Sequence, residues 1–206
     1  MKVSYNVLKQ YIPNIKWVEE LAQDLVMHTA EVDSITSQAS EFENMVYGII
    51  RSVDIHKNAD NLKVCQVDIW EEELLQIVCW GSNLGVWQGV AIAKIWASVL
   101  WHGQGDPVIM KKTSIRWVES YGMICASEEI GLADKFPAES ETEILDLSHI
   151  ESKPWTPLAE VLWKDDAILD IDNKAINHRP DLFSHIGIAR EIAAISGEHF
   201  SHSHEL

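Results

Sequence analysis

Residues 58–132 give the clearest indication of the fold, because they contain three short apolar runs: LKVCQVDI (62–69), LLQIVC (74–79) and VAIAKI (90–95). In the first run Cys65, Val67 and Ile69 alternate with a second set of positions that includes Gln66 and Asp68. Alternation with a period of two residues is typical of paired β-strands that bury one face. Short strands joined by turns predict a small β-barrel.

A basic segment, MKKTSIR (110–116), follows these runs. Lys111, Lys112 and Arg116 place three cations within six positions, and the threonine and serine between them can donate hydrogen bonds to phosphate. The segment is therefore a candidate RNA contact. The alternative is a solvated basic strand edge, because lysines at such edges discourage sheet aggregation. Tyr121 can stack on a base, although packing on the barrel is the favoured role.

A second candidate contact is the turn HKNAD (56–60), which is followed closely by a further lysine. Lys57 and Lys63 are candidates for phosphate contact, because the loops of small barrels are where such folds bind nucleic acid. Asn58 and Asp60 can close the turn through side chain to backbone hydrogen bonds. A structural role for this turn is favoured over a direct RNA contact.

Composition indicates a globular protein. The chain has 206 residues, of which 47% are hydrophobic and 23% charged, and these are values of folded domains. The length favours two domains. No apolar run approaches the roughly 20 residues that span a bilayer, and the N-terminus lacks the apolar core of a signal peptide. We expect a cytoplasmic protein with no membrane partner.

Charge is distributed unevenly along the chain. A net charge of −16 argues against strong nonspecific binding of nucleic acid by the chain alone. Residues 51–117, however, contain seven basic and seven acidic side chains, so this part is neutral. The acidic excess lies mainly in the flanks, and the barrel is the part best suited to face RNA.

Residues able to bind metal or form a nucleophile give no specific pattern. Cys65, Cys79 and Cys125 lack the short spacing of zinc ligands and are predicted to be buried, reduced thiols. Four aspartates between residues 165 and 172 are better explained as capping and loop residues than as metal ligands. Since no catalytic arrangement or phosphate-binding glycine loop is present, we predict no catalytic residue, metal site or cofactor in this chain.

Both ends of the chain mix helix and strand. Ser4 is a helix N-cap, residues 18–27 repeat apolar positions with helical spacing, residues 167–171 are a strand candidate, and a helix after Pro180 ends at Gly197. Neither end has enough apolar surface for a core alone, so an inserted barrel explains the order of elements.

The predicted class is therefore α+β. A barrel domain (42–150) is inserted into a small α+β domain formed by residues 1–41 and 151–198, and residues 199–206 form a mobile tail.

Several motifs together resemble the N-terminal part of the bacterial phenylalanyl-tRNA synthetase β subunit family. They cover almost the whole chain: MKVSYNVLKQYIP (1–13), HKNADNLKVCQVD (56–68), LQIVCWGSN (75–83), MKKTSIRWVESYGMICASEEIGL (110–132), ILDID (168–172) and HRPDLFSHIGIAREIAA (178–194). The barrel alone also resembles stand-alone EMAP-like tRNA-binding modules. Both resemblances imply a five-stranded oligonucleotide-binding (OB) fold.

The family resemblance implies the biochemical context. It implies a heterotetramer of two α and two β subunits that joins phenylalanine to its tRNA with ATP and magnesium. The adenylation site would belong to the α subunit, and editing, magnesium-binding and anticodon-binding parts would lie further along a complete β subunit. This chain is then expected to be a noncatalytic part that contributes tRNA binding or subunit architecture. The alternatives are a stand-alone tRNA-binding module and a purely structural docking domain.

Tryptophan is unusually frequent, with nine residues against ten glycines. By the resemblance, seven of them stand where the family usually has glycine: Trp70, Trp80, Trp87, Trp96, Trp117, Trp155 and Trp163. Glycine at turns supplies positive φ, which is costly for a bulky residue. We hypothesise that these positions are glycine in the native protein and that UGA codons were translated as tryptophan. If tryptophan is present, we expect distorted turns and low thermal stability.

Overall fold

The computed structural model describes residues 1–201, which form two compact units. We call residues 1–39 with 165–201 the terminal unit, and residues 40–164 the barrel unit. The elements, in chain order, are β1 Lys2–Ser4, α1 Tyr5–Tyr11, α2 Val18–His28, β2 Val32–Ser37, β3 Met45–Ile55, β4 Lys63–Asp68, β5 Leu75–Cys79, β6 Gly89–Lys94, β7 Ser98–Leu100, β8 Pro107–Ile109, β9 Thr113–Ile115, β10 Val118–Ser120, β11 Gly122–Ile124, α3 Leu158–Val161, β12 Ala167–Ile171 and α4 His185–Ser196.

The terminal unit is a three-stranded antiparallel sheet, ordered β1-β12-β2, with helices α1, α2 and α4. Ser4 caps α1, because its hydroxyl oxygen accepts a hydrogen bond from the Val7 N–H at 3.1 Å. Leu8, Leu25 and Leu169 are fully buried in its core. The predicted N-cap, helices and strand at these two ends of the chain are confirmed.

The barrel unit contains a nearly closed five-stranded antiparallel barrel, ordered β11-β6-β3-β4-β5. The two ends of this sheet meet where the Tyr121 N–H donates to the Gln76 carbonyl at 3.0 Å. Cys65, Val67 and Ile69 all face the interior and are buried, as their alternation predicts. The predicted class, an OB-type barrel within an α+β protein, is confirmed.

The boundary of the barrel unit lies further along the chain than residue 150. Residues 151–164, assigned from the sequence to the terminal domain, belong to the barrel unit. The reason is a backbone pairing with β3: the Tyr47 N–H donates to Thr156, and the Trp155 N–H donates to Tyr47, both at 2.9 Å. Local sequence patterns do not reveal such a pairing between distant segments.

The described part of the predicted tail is docked on α1. Phe200 stacks on Tyr11 with ring centroids 5.9 Å apart, and the Ser201 N–H donates to the Tyr11 carbonyl at 2.8 Å. Phe200 and Ser201 of the predicted tail thus contact α1, and mobility of the tail stays a prediction. Residues 202–206 lie outside the described residues.

The three cysteines are buried free thiols, as predicted. Burial raises the pKa of Cys65 to about 12, and it raises the pKa of Cys79 and Cys125 as well. Because the thiolate is the reactive species, these residues act as core side chains.

Candidate nucleic-acid interface

The basic segment forms a hairpin, which we call the basic hairpin (residues 111–121). Strands β9 and β10 pair antiparallel with Ile115 opposite Val118, so Arg116 and Trp117 alone form the turn. Their φ values are 46° and 74°. Two central residues with positive φ define a type I′ turn, whose twist suits a two-residue hairpin.

The turn at residues 56–58 is hydrogen-bonded to the basic hairpin. A ring nitrogen of buried His56 lies 3.2 Å from the Ile115 carbonyl oxygen. The Asn58 amide donates to the Arg116 carbonyl at 3.2 Å, and the Arg116 guanidinium donates to the Asn58 carbonyl at 3.3 Å. These reciprocal bonds bring Lys57 and the hairpin turn to the same surface.

The expected closure of this turn by Asn58 and Asp60 side chains is wrong for Asn58. Its side chain reaches the hairpin, and the His56 Nδ1 atom instead accepts the Asn58 N–H at 3.1 Å. A histidine ring thus performs the local closure. This frees the asparagine side chain to join two segments that are 58 positions apart.

Lys57 and Lys111 are the candidate cations most open to an external anion. Both side chains are exposed. Neither forms an ion pair within residues 1–201. Their ammonium groups can therefore meet a phosphate without breaking an existing pair.

Lys112 and Tyr121 are engaged with each other and with Glu119. The Lys112 ammonium lies 2.8 Å from a Glu119 carboxylate oxygen and 4.7 Å from the centre of the Tyr121 ring. The Tyr121 hydroxyl donates to Glu119 at 2.5 Å. The hydrogen bond to Glu119 raises the pKa of Lys112, and the same contact lowers the pKa of Glu119. The charge of Lys112 is thus compensated, and Tyr121 packs within the hairpin.

Lys63 has a structural role in the barrel. Its ammonium donates to the Gly81 carbonyl at 3.0 Å, and it lies 3.5 Å from the Ser82 carbonyl. The side chain is half-buried at the start of β4. These contacts connect β4 to the loop after β5, so Lys63 does not join the open cations of the basic hairpin.

A polar groove beside the basic hairpin was not expected from the sequence. Gln66 on β4 and Gln76 on β5 are cross-strand partners, and the Gln66 amide donates to Gln76 at 3.1 Å. The Gln76 amide in turn donates to the Glu119 carbonyl at 2.8 Å. The groove continues past Trp117 and Tyr121. Amide side chains can hydrogen-bond to base edges, and two glutamines at outward strand positions are the signal that could have indicated it.

Arg51 is a further cation of the barrel that the sequence did not single out. Its Nε and Nη2 atoms donate to one Asp68 carboxylate oxygen, at 3.1 and 2.5 Å, and this bond lowers the pKa of Asp68. The guanidinium also lies 4.6 Å from the centre of the Trp87 ring. Arg51 is therefore paired on one side and covered on another.

No group of three or more metal-ligating side chains converges within residues 1–201. The aspartates near residue 170 perform local structural roles. Asp166 accepts hydrogen bonds from the Ser4 hydroxyl at 2.6 Å and the Asn6 N–H at 2.9 Å, and Asp172 accepts from the Lys174 N–H at 2.9 Å. Their interpretation as capping residues is confirmed for these two.

A nearly closed barrel of five antiparallel strands is the architecture of oligonucleotide-binding domains. Comparison with known families agrees: residues 45–148 match the family described as "Putative tRNA binding domain". The chain belongs to this family, and the basic hairpin and the 56–58 turn both lie within the matched span.

Curated relatives extend the similarity to both units. The chain is 39% identical over 195 residues to a phenylalanine–tRNA ligase beta subunit of Fusobacterium nucleatum, covering 94% of this chain and 23% of the relative. A beta subunit of the same name from Staphylococcus aureus is 34% identical over 196 residues, covering 95% and 24%. These matches confirm the resemblance inferred from the motifs. The chain spans about a quarter of the length of these relatives.

Among solved structures, the C-terminal domain of Plasmodium vivax p43 matches 39% of this chain and 44% of its own, with 22% identity and a TM-score of 0.31. Within residues 1–201 no helix is long and apolar enough to cross a membrane.

Proposed function

We propose that this chain is a noncatalytic part of a phenylalanine–tRNA ligase beta subunit and that its barrel unit contacts tRNA through the basic hairpin and the 56–58 turn. The observation that carries the proposal is the pair of reciprocal hydrogen bonds between Asn58 and Arg116. They join the turn that carries Lys57 to the hairpin turn that carries Arg116, and both turns lie within the span of the tRNA-binding family match. Lys111 is an exposed cation of the same hairpin. Clustered cations on barrel loops suit a phosphate backbone.

The complete ligase would supply the remaining parts. In this proposal ATP and magnesium bind outside this chain, the partners are tRNA, the rest of the beta subunit and an alpha subunit in a heterotetramer, and the location is cytoplasmic. The relatives' name and their greater length support this division.

A docking role without RNA contact is the second candidate. It is favoured by the internal pairing of Lys112 with Glu119, by the carbonyl contacts of Lys63 and by the net charge of −16. A stand-alone tRNA-binding module is less well supported, because this chain carries a second compact unit that such a module does not need.

The two roles predict different responses to salt and to loss of charge. Filter binding of the 206-residue chain to phenylalanine tRNA, at 50 and 200 mM salt, should show affinity that falls steeply with salt, because phosphate contacts release counterions. The triple variant Lys57→Gln, Lys111→Gln, Arg116→Gln should bind more weakly and lower the salt slope by about two to three.

The matched control removes three exposed cations elsewhere: Lys135→Gln, Lys153→Gln and Arg190→Gln. It changes the net charge equally and should retain most of the affinity. Melting followed by circular dichroism establishes that both variants are folded. Absence of binding at low salt, or equal losses in the two triple variants, would reject contact through the basic hairpin and favour docking.

A further inference from the structure

All nine tryptophans are exposed to solvent, from 43% for Trp155 to 91% for Trp117. Tryptophan is ordinarily among the residues that bury the most surface. A chain in which every indole faces water has an unusual feature that neither core packing nor the basic hairpin explains.

Six of these tryptophans also have positive φ. Within residues 1–201 nine non-glycine residues have this conformation, and six are tryptophans: Trp70 (63°), Trp87 (69°), Trp96 (77°), Trp117 (74°), Trp155 (72°) and Trp163 (52°). Positive φ is rare for residues with a Cβ atom and is adopted readily by glycine. The coincidence therefore requires a cause.

The hairpin turn is the first of several positions whose geometry favours glycine. Trp117 is the second central residue of the type I′ turn, after Arg116. That position is typically glycine, as in Asn-Gly and Asp-Gly turns.

Two further tryptophans occupy the third position of type II turns. The Ala97 N–H donates to Lys94 at 3.0 Å across Trp96, and the Thr156 N–H donates to Lys153 at 3.2 Å across Trp155. Only the third residue of each turn has positive φ. Type II turns require this conformation there and therefore favour glycine. Pro154, immediately before Trp155, occupies the second position of its turn. Proline is common there in type II turns, and glycine is the residue that ordinarily follows it.

Trp163 occupies the glycine position of a Schellman motif. The Lys164 N–H donates to Ala159 at 2.7 Å, and the Trp163 N–H donates to Glu160 at 3.1 Å. These are the two bonds of the motif that ends helices with a left-handed residue, most often glycine. A bulky residue gains nothing at this site, because the indole is exposed.

The remaining two tryptophans are held by backbone bonds at tight loops. Trp70 lies two residues after the end of β4, and its N–H donates to the Asp68 carboxylate at 2.9 Å. The Trp87 N–H donates to the Ile50 carbonyl at 2.7 Å. In both cases the chain fixes the backbone while the side chain remains exposed.

We propose that the natural protein carries glycine at positions 70, 87, 96, 117, 155 and 163, and that the tryptophans arise from translating UGA as tryptophan. In the standard code UGA is a stop codon, and some bacteria translate this codon as glycine. Trp80 differs from the other six expected positions, because its φ is not positive. The backbone therefore makes no demand for glycine there.

Glycine would change the surface of the barrel unit. The Trp87 ring covers Arg51 at 4.6 Å, and the Trp155 ring covers Lys94 at 3.5 Å. Without these two indoles, Arg51 and Lys94 become more accessible. Without the Trp117 side chain, a phosphate can approach the backbone of the hairpin turn closely. None of the six turns depends on RNA, so the glycine positions can be tested independently of the tRNA proposal.

Codons and peptide masses test the proposal directly. We expect UGA at all six positions and peptide masses of the protein from its native organism that correspond to glycine. UGG codons at these positions would overturn the proposal. UGA codons accompanied by tryptophan-containing peptides would overturn it equally.

Stability provides a separate test. The variant that carries glycine at all six positions (the six-fold variant) should melt about 10 °C or more above the tryptophan form, because the conformational strain of positive φ is removed at each position. Trp80→Gly is the matched control and should not raise the melting temperature, since it removes an indole near the His102 ring without relieving positive φ. An unchanged or lower melting temperature of the six-fold variant would contradict the proposal.

Discussion

The terminal unit and the barrel unit each contain a helix that is followed by a residue in the left-handed conformation, but the residue differs between the two units. Helix α4 ends at Gly197 with φ of 72°, whereas α3 ends at Trp163 with φ of 52°. Glycine adopts this conformation without steric cost, and tryptophan does not. The same backbone conformation is thus occupied by glycine at the end of α4 and by tryptophan at the end of α3, although the barrel unit also has glycine at some left-handed positions, such as Gly131.

The contrast extends beyond these two helices. In the terminal unit, Ser4, Ser184 and Asp172 each accept a capping hydrogen bond from a backbone N–H, at 3.1, 3.0 and 2.9 Å. All six tryptophans with positive φ belong to the barrel unit. Natural sequences are locally consistent with their folds. The conflict between tryptophan and positive φ at these six positions therefore indicates that these residues have been altered, and not that the barrel unit has an unusual fold.

Gly187→Ala should destabilise the terminal unit, and it has the largest expected effect of these substitutions on the free energy of unfolding. A Cβ atom at Gly187 would collide with the Asp181 carbonyl oxygen, where α4 packs against the preceding turn. Because backbone must move, we expect a loss of about 1–3 kcal/mol in the free energy of unfolding. Urea denaturation measures it.

Gly85→Ala is the control in the barrel unit, where the added methyl group would only approach the Gln88 side chain at 3.8 Å. A loss as large as that of Gly187→Ala would show that close packing at residue 187 is not the cause.

Exchanging the two helix ends should give smaller effects of opposite sign. Trp163→Gly should stabilise the protein by about 1 kcal/mol, and Gly197→Trp should destabilise it by a similar amount. An added Cβ at Gly197 meets nothing within 4 Å, so the cost there is conformational rather than steric crowding by neighbours. Urea denaturation of both variants measures the pair, and effects of the same sign would contradict the equivalence of the two ends.

Local patterns in the sequence predicted much of the fold. The alternation of Cys65, Val67 and Ile69 predicted buried strand positions, and Ser4 and Gly197 marked helix ends, because strand periodicity and caps depend on nearby residues. The added segment 151–164 escaped prediction, since its pairing with β3 joins residues about 110 positions apart.

The candidate interface was predictable in residue type but not in arrangement. The basic segment was visible as a cluster of charges, whereas the pairing of Lys112 with Glu119 depends on hairpin register. The Asn58 bridge to Arg116 and the carbonyl contacts of Lys63 depend on tertiary structure. Charge spacing therefore indicated the surface, and only the fold separated open cations from engaged ones.

Amide hydrogen exchange of the 206-residue chain, with and without phenylalanine tRNA at low salt, tests whether the barrel unit is the RNA-facing part. We expect slower exchange in the basic hairpin (111–121) and the 56–58 turn, because bound phosphates would restrain the segments that the Asn58–Arg116 bonds join. The terminal unit should exchange at an unchanged rate. Protection confined to the terminal unit, or no protection at saturating tRNA, would contradict tRNA contact through the barrel.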